Sequence, residues 1–176
     1  MALKFFTKKN IDKKFLLQEL INHKALSASA PICYGVTQNP RGDYALVMHY
    51  CEHGIIREYL KNNEINWHER IIYSMEVASG LWNIHDQDII HSDFHLGNIL
   101  LTKRGSESKP KIVITDFGLS RFFDDHRENK TIFGVLPYVA PEVLQGRSYT
   151  QSSDIYSLAM VIYEILTGLE PYHGYI

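Results

Sequence analysis

Residues 91–98 read HSDFHLGN, and a second aspartate follows in TDFG at Asp116. Asp93 stands on a loop after a long helical stretch, and its carboxylate has the chemistry of a general base. Asn98 and Asp116 each offer a hard oxygen donor of the kind that holds magnesium. One carboxylate to take a hydroxyl proton, with two oxygen ligands to hold magnesium on phosphates, makes the set that phosphoryl transfer requires. His91 and His95 flank Asp93 as transition-metal ligands would, but no third ligand pair is arranged to close such a site.

Several elements must position these residues. MALKFF reads as the end of a strand. IDKKFLLQELINHKAL reads as a helix, with Phe15, Leu16 and Leu20 apolar and basic residues opposite. ICYGVT and YALVMHY read as two strands around the turn NPRGD, and IIREYLKN as a short helix. Asn66 and Glu69 have the spacing of a capping box, so a long helix starts there. Its residues Ile71, Met75, Ala78 and Trp82 share one face, which is expected to be the buried one. NILLT and PKIVITDF read as short strands that carry Asn98 and Asp116 at their ends, joined by the polar loop KRGSES. An irregular segment runs from Gly118 to about Gln145. SSDIYSLAMVIYEILTG reads as a helix capped by Ser152 or Ser153 and stopped by Gly168. It is apolar nearly all round, which predicts a buried helix. A strand-rich part thus precedes a larger helical part, joined near His49–Gly54.

The bulk numbers narrow the function. The chain has 176 residues, with 45% hydrophobic and 22% charged, the balance of a globular domain with a real core. A net charge of −2 supplies no basic field for nucleic acid or anionic membrane. The two cysteines, Cys33 and Cys51, form no CxxC pair, which argues against a disulfide framework and for a reducing, intracellular setting. IYSLAMVIYEIL (155–166) is too short to span a bilayer, so no membrane insertion is expected.

In order and spacing these motifs resemble the protein kinase family. HSDFHLGN is similar to the catalytic loop H-R-D-x-x-x-x-N, TDFG to D-F-G, and VAPEVL supplies A-P-E at Ala140, Pro141 and Glu142. MALK resembles the V-A-I-K strand, which makes Lys4 the lysine for the α- and β-phosphates. Glu19, fifteen residues on, is the candidate partner that positions it. The resemblance implies further roles. Met48 backs an adenine pocket, the backbone of His49 to Cys51 forms its hinge, and Leu100 is its apolar floor. Asp154 matches the buried aspartate that tethers the catalytic loop, and His91 packs under Phe117. The implied fold is α+β and two-lobed. Residues 1–50 form a partial N-terminal lobe, with the third strand, the Glu19 helix and two further strands. Residues 51–176 form a partial C-terminal lobe with the catalytic loop, the activation segment and the buried helix. The implied reaction is transfer of the ATP γ-phosphoryl group to serine or threonine, with tyrosine kept open, on a protein substrate. Its cofactors are ATP and Mg2+. Asp93, Lys4 and Glu19 carry the catalysis, and Asn98 and Asp116 hold the metal.

The chain also departs from the family. No G-x-G-x-x-G occurs, and the sequence reads as a kinase domain cut at both ends. Ser92 replaces the arginine of H-R-D, so a phosphate on Thr131 is not expected to be the on-switch. His95 stands where Ser/Thr kinases usually have lysine, and Gly134–Val135 where they usually have Gly-Thr. Two alternatives follow. One is a catalytically weak pseudokinase that acts as a binding module. The other is a small-molecule phosphotransferase, whose loop H-x-D-x-H-x-G-N also resembles; the A-P-E segment argues against it.

Overall fold

The computed structural model describes residues 1–6, 13–103, 110–122 and 132–174. Loop 104–109 and Thr131 lie outside them, so expectations placed there stay untested. The first sheet has strands β1 (Ala2–Phe6), β2 (Cys33–Gln38) and β3 (Tyr44–Met48) in the order β1-β3-β2, antiparallel throughout. Helix α1 (Lys13–Ala25) accompanies it. The turn between β2 and β3 closes on Asn39, whose side chain accepts from Asp43 N–H at 2.9 Å, as a turn asparagine does. Strand β4 (Gly54–Ile55) leads into helix α2 (Ile56–Asn62) and then helix α3 (Trp67–His85). Strand β5 (Ile89–Ile90), β6 (Ile99–Thr102), β7 (Lys111–Ile114) and β8 (Arg121–Phe122) are short. β6 lies between β4 and β7, and β5 pairs with β8. Helices α4 (Pro141–Leu144) and α5 (Gln151–Thr167) complete the set.

The sequence signals for α3 hold at its start. Asn66 accepts from Glu69 N–H at 3.0 Å, and Glu69 accepts from Asn66 N–H at 3.3 Å. Its buried face is another matter. Met75 is 67% exposed and Trp82 65%, and Ile71 is also exposed, so three of the four residues expected to face inward face outward. The buried stripe is Tyr73, Val77, Leu81 and Ile84, which also repeats every three to four residues. Gly80 lies on the buried stripe, against β7. A Cβ there would lie 2.7 Å from Ile114 Cδ1 on β7, so the face that includes Gly80 admits a closer neighbour than one built on tryptophan.

Helix α5 differs from expectation in a similar way. Its N-cap is Thr150, in a reciprocal capping box with Ser153, rather than Ser152 or Ser153 itself. Gly168 ends it with φ +75°, a left-handed residue that glycine adopts without penalty. The buried face carries Ser153, Asp154, Ser157 and Glu164 beside Val161 and Ile165, while Ile155 and Tyr163 are exposed. The polar residues turn inward because each has a partner there, described below. The main core joins α3 and α5 to β6 and β7, and it also takes in Phe94, Leu96 and Phe117. Loops that carry Asp93 and Asp116 are therefore pinned by apolar side chains of their own.

Truncation separates the two stripes of α3. Leu81→Ala should cost about 2–5 kcal/mol in chemical denaturation. Trp82→Ser should stay within about 0.5 kcal/mol of the parent. The reverse ranking would return the helix to the orientation first read from its sequence.

Candidate active site

Lys4 leaves β1 opposite Leu46 of β3. Its Nζ lies 2.5 Å from Glu19 Oε1 and 2.9 Å from Asp116 Oδ1. Three motifs spread over 112 residues of chain thus meet at one ammonium group. Glu19 is 1% exposed, and Lys4 is its nearest ionic partner, with His23 Nε2 at 3.8 Å. Burial acts to lower the Lys4 pKa, but the two carboxylates outweigh it and raise it. For Asp116 burial acts upward, and the Lys4 ammonium with its hydrogen bond holds the carboxyl below its ordinary value. Asp116 has φ +67°, a left-handed backbone that is costly for a side-chain-bearing residue and clusters at functional sites.

Phe117 follows Asp116 and is 1% exposed. It packs edge-on to His23 of α1, with ring centroids 5.0 Å apart, and tilted against His91 at 5.3 Å. This is the contact that the family resemblance implied for His91. His91 Nδ1 accepts from Asp93 N–H at 3.3 Å, so Nε2 donates to Thr115 O at 3.1 Å. Complete burial keeps its pKa below the ordinary value, against the pull of nearby carboxylates. With both nitrogens engaged, His91 is a packed residue. Among the described residues no group of three or more His, Cys, Asp or Glu side chains is placed to hold a metal ion.

Asp154 holds the loop from below. Its Oδ2 accepts from His91 N–H at 2.7 Å and His85 Nε2–H at 2.9 Å, and its Oδ1 from Ser92 N–H at 3.0 Å. Ser92 has φ +66°, and this tether supports that backbone. Asn98 then closes the loop. Its Nδ2 donates to Asp93 O at 2.9 Å and to Asp93 Oδ2 at 3.3 Å. The amide nitrogen points into Asp93, so the amide oxygen is the donor left for a cation. Asn98 O accepts from Thr115 N–H at 2.9 Å, one residue before Asp116. The two oxygen-bearing residues are thus linked through backbone. Hard oxygens alone suit magnesium, and the 47% exposure of the Asp116 side chain leaves it reachable.

The residues expected around a base-binding pocket fall on β3, the chain after it, and β6. Met48 is buried opposite Ala2, and His49 N–H donates to Ile32 O at 2.8 Å. Cys51 is buried, and that burial pushes its thiol up to about 11. His53 N–H donates to Leu101 O at 3.2 Å, which fastens this stretch to β6, where Leu100 is half-buried.

One cluster escaped sequence reading. Arg57 on α2 gives Nε to Glu164 Oε1 at 2.7 Å and Nη2 to Oε2 at 3.2 Å. Its Nη2 also donates to Tyr138 Oη at 2.9 Å, and the Tyr138 hydroxyl donates to Glu164. Ser157 Oγ–H donates to Tyr138 O at 2.7 Å. The available signal was Glu164 itself, a lone acid in a run of apolar helix, which demands a buried partner.

Lys4→Met should remove the cation that lowers Asp116 while leaving its burial. The Asp116 titration midpoint, followed by the carboxyl carbon resonance, should rise. An unchanged midpoint would mean that the pair is not formed in solution.

The comparisons with known proteins fit this arrangement. The family model described as protein kinase domain matches residues 1–175. A probable serine/threonine-protein kinase of Dictyostelium discoideum is 31% identical over 91% of this chain and 10% of its own length. The RGS domain-containing serine/threonine-protein kinase A of the same organism is 33% identical over 91% of this chain and 13% of its length. The human serine/threonine-protein kinase ULK1 is 28% identical over 99% of this chain and 17% of its length. The chain thus spans well under a fifth of each of these relatives. Among the described residues no helix is long and apolar enough to cross a membrane. A β-sheet region with one helix, a helical region behind the catalytic loop, and the family match over residues 1–175 all agree: this chain belongs to the protein kinase family, whose members are ATP-dependent phosphotransferases.

Proposed function

We propose that this chain carries the phosphoryl-transfer site of a protein kinase that acts on serine or threonine of a protein substrate. The observation that carries the reading is the meeting of Glu19 and Asp116 on Lys4 Nζ, at 2.5 and 2.9 Å. Residues 1–50 then serve as the N-terminal lobe and 51–176 as the C-terminal lobe. Lys4, held by Glu19, takes the α- and β-phosphates. Asn98 and Asp116 hold magnesium through their oxygens. Met48, the backbone of His49 to Cys51, and Leu100 surround the adenine. Asp93 orients the acceptor hydroxyl and takes its proton. Bound ATP with magnesium supplies the transferable phosphoryl group and neutralises its charge. The residues of this chain supply position and electrostatics, which is most of what this reaction needs. The serine and threonine preference rests on the relatives, which are serine/threonine-protein kinases.

The 176 residues contain no G-x-G-x-x-G, so no such loop covers the phosphates in this chain. Magnesium–ATP should therefore raise its melting temperature only weakly, and Asp116→Ala should abolish that rise. Transfer to a protein acceptor should be slow and fall by about a hundredfold or more in Asp93→Asn. Absence of any nucleotide-dependent stabilisation would favour the non-catalytic binding module. Turnover indifferent to Asp93→Asn would remove Asp93 from the mechanism. A preference for small alcohols or amines as acceptors would move the chain to the small-molecule phosphotransferases.

A further inference from the structure

Asp93 Oδ1 is buried and has no hydrogen-bond partner, although its carboxylate lies at the centre of the catalytic loop. Asn98 serves the other oxygen, Oδ2, and the Asp93 carbonyl. Gly134 stands against Asp93, where a Cβ would come within 3.2 Å of Oδ1. The next residue is Val135, which has no hydroxyl to offer. The one side-chain donor placed at Oδ1 among the described residues is His95, whose Nε2 lies 3.6 Å away.

The ring of His95 is itself fixed. Its Nδ1 accepts from Gly97 N–H at 3.1 Å. Because Nδ1 keeps its lone pair for that bond, Nε2 carries the proton in the neutral ring, and it is Nε2 that faces Asp93. A Cβ on Gly97 would lie 2.8 Å from His95 Cε1 and 2.9 Å from Nδ1, so the bare glycine admits the ring edge. Tyr138 lies alongside with ring centroids 5.9 Å apart.

We propose that His95 is a positioning residue: its Nε2–H, aimed by the Gly97 amide, orients Asp93 through Oδ1. A separation of 3.6 Å is just outside hydrogen-bond range, and such contacts commonly tighten when substrate binds. The role concerns the same carboxylate that is read as the base under the proposed function and rests on that reading.

Two measurements test it. The first needs no turnover. Ring-nitrogen NMR of the labelled chain at mildly alkaline pH should show His95 as the Nε2–H tautomer, with His95→Gln used for assignment. Asp93→Ala should shift the Nε2–H signal, and Gly97→Ala should displace the ring and alter the Nδ1 signal. An Nδ1–H tautomer, or a signal indifferent to Asp93→Ala, overturns the proposal. The second measures phosphoryl transfer from magnesium–ATP. His95→Gln sets an amide N–H near the Nε2 position and should keep kcat near the parent's. His95→Phe keeps the packing on Tyr138 but no donor, and should lose about tenfold or more in kcat with little change in the KM for ATP. Equal activity of the phenylalanine variant and the parent overturns the proposal. A parent chain without turnover counts against the kinase reading alone, while the NMR result still decides the role of His95.

Discussion

The Asp154 carboxylate is almost wholly buried, and both of its oxygens accept from the backbone of the loop that carries Asp93. A buried charge is tolerated only where it is fully hydrogen-bonded, so the loop and helix α5 fix each other. The loop gains a shape that its own sequence would not hold, including a left-handed Ser92. The helix gains partners for a charge it could not otherwise bury. His85 at the end of α3 joins the same carboxylate, which ties a third element to the pair. Asn98, Asp116 and Lys4 are then placed in turn through short bonds that begin at this loop.

Glu164 repeats the arrangement two to three turns further along α5. Its partners Arg57 and Tyr138 come from α2 and from the segment just before Ala140–Glu142. One helix thus holds the loop that carries Asp93 by one carboxylate and the segment that follows Asp116 by another. Polar groups on a nominally apolar helix are the means by which irregular segments acquire fixed positions. The strained backbone at Asp116 is supported likewise, by Lys4 on its carboxylate and by Phe117 wedged between two histidine rings.

Much of this was legible in the sequence where chemistry demands a residue type at a spacing. Asp93, Asn98, Asp116, Lys4 and Glu19 could be named because their order and spacing match the motifs of a known family. The capping box at Asn66 and the stop at Gly168 were legible because local backbone bonds set them. The inward face of α3 was not, since two stripes of apolar residues satisfy the same period and only a neighbour in space chooses between them. The face of α5 misled for the opposite reason. Composition suggested an apolar helix, yet its inward residues include the acids whose partners lie 26 to 107 residues away in sequence. His95 could be seen as a departure from the family, but the direction of its donor depends on a glycine two residues on, which no pattern of types reveals.

The glycine at position 80 has a meaning for how the chain reaches its fold. A helix with two apolar faces can dock on the nascent sheet in either of two rotations, and both bury comparable hydrocarbon. The rotation that turns Met75 and Trp82 inward offers the larger side chains and so the greater early attraction. The native rotation instead sets Gly80 against the Ile114 side chain, which β7 brings from over thirty residues downstream. Two apolar stripes of the same period thus leave the rotation of α3 to be selected by a contact distant in sequence, so local pattern and tertiary packing must agree before the helix is fixed.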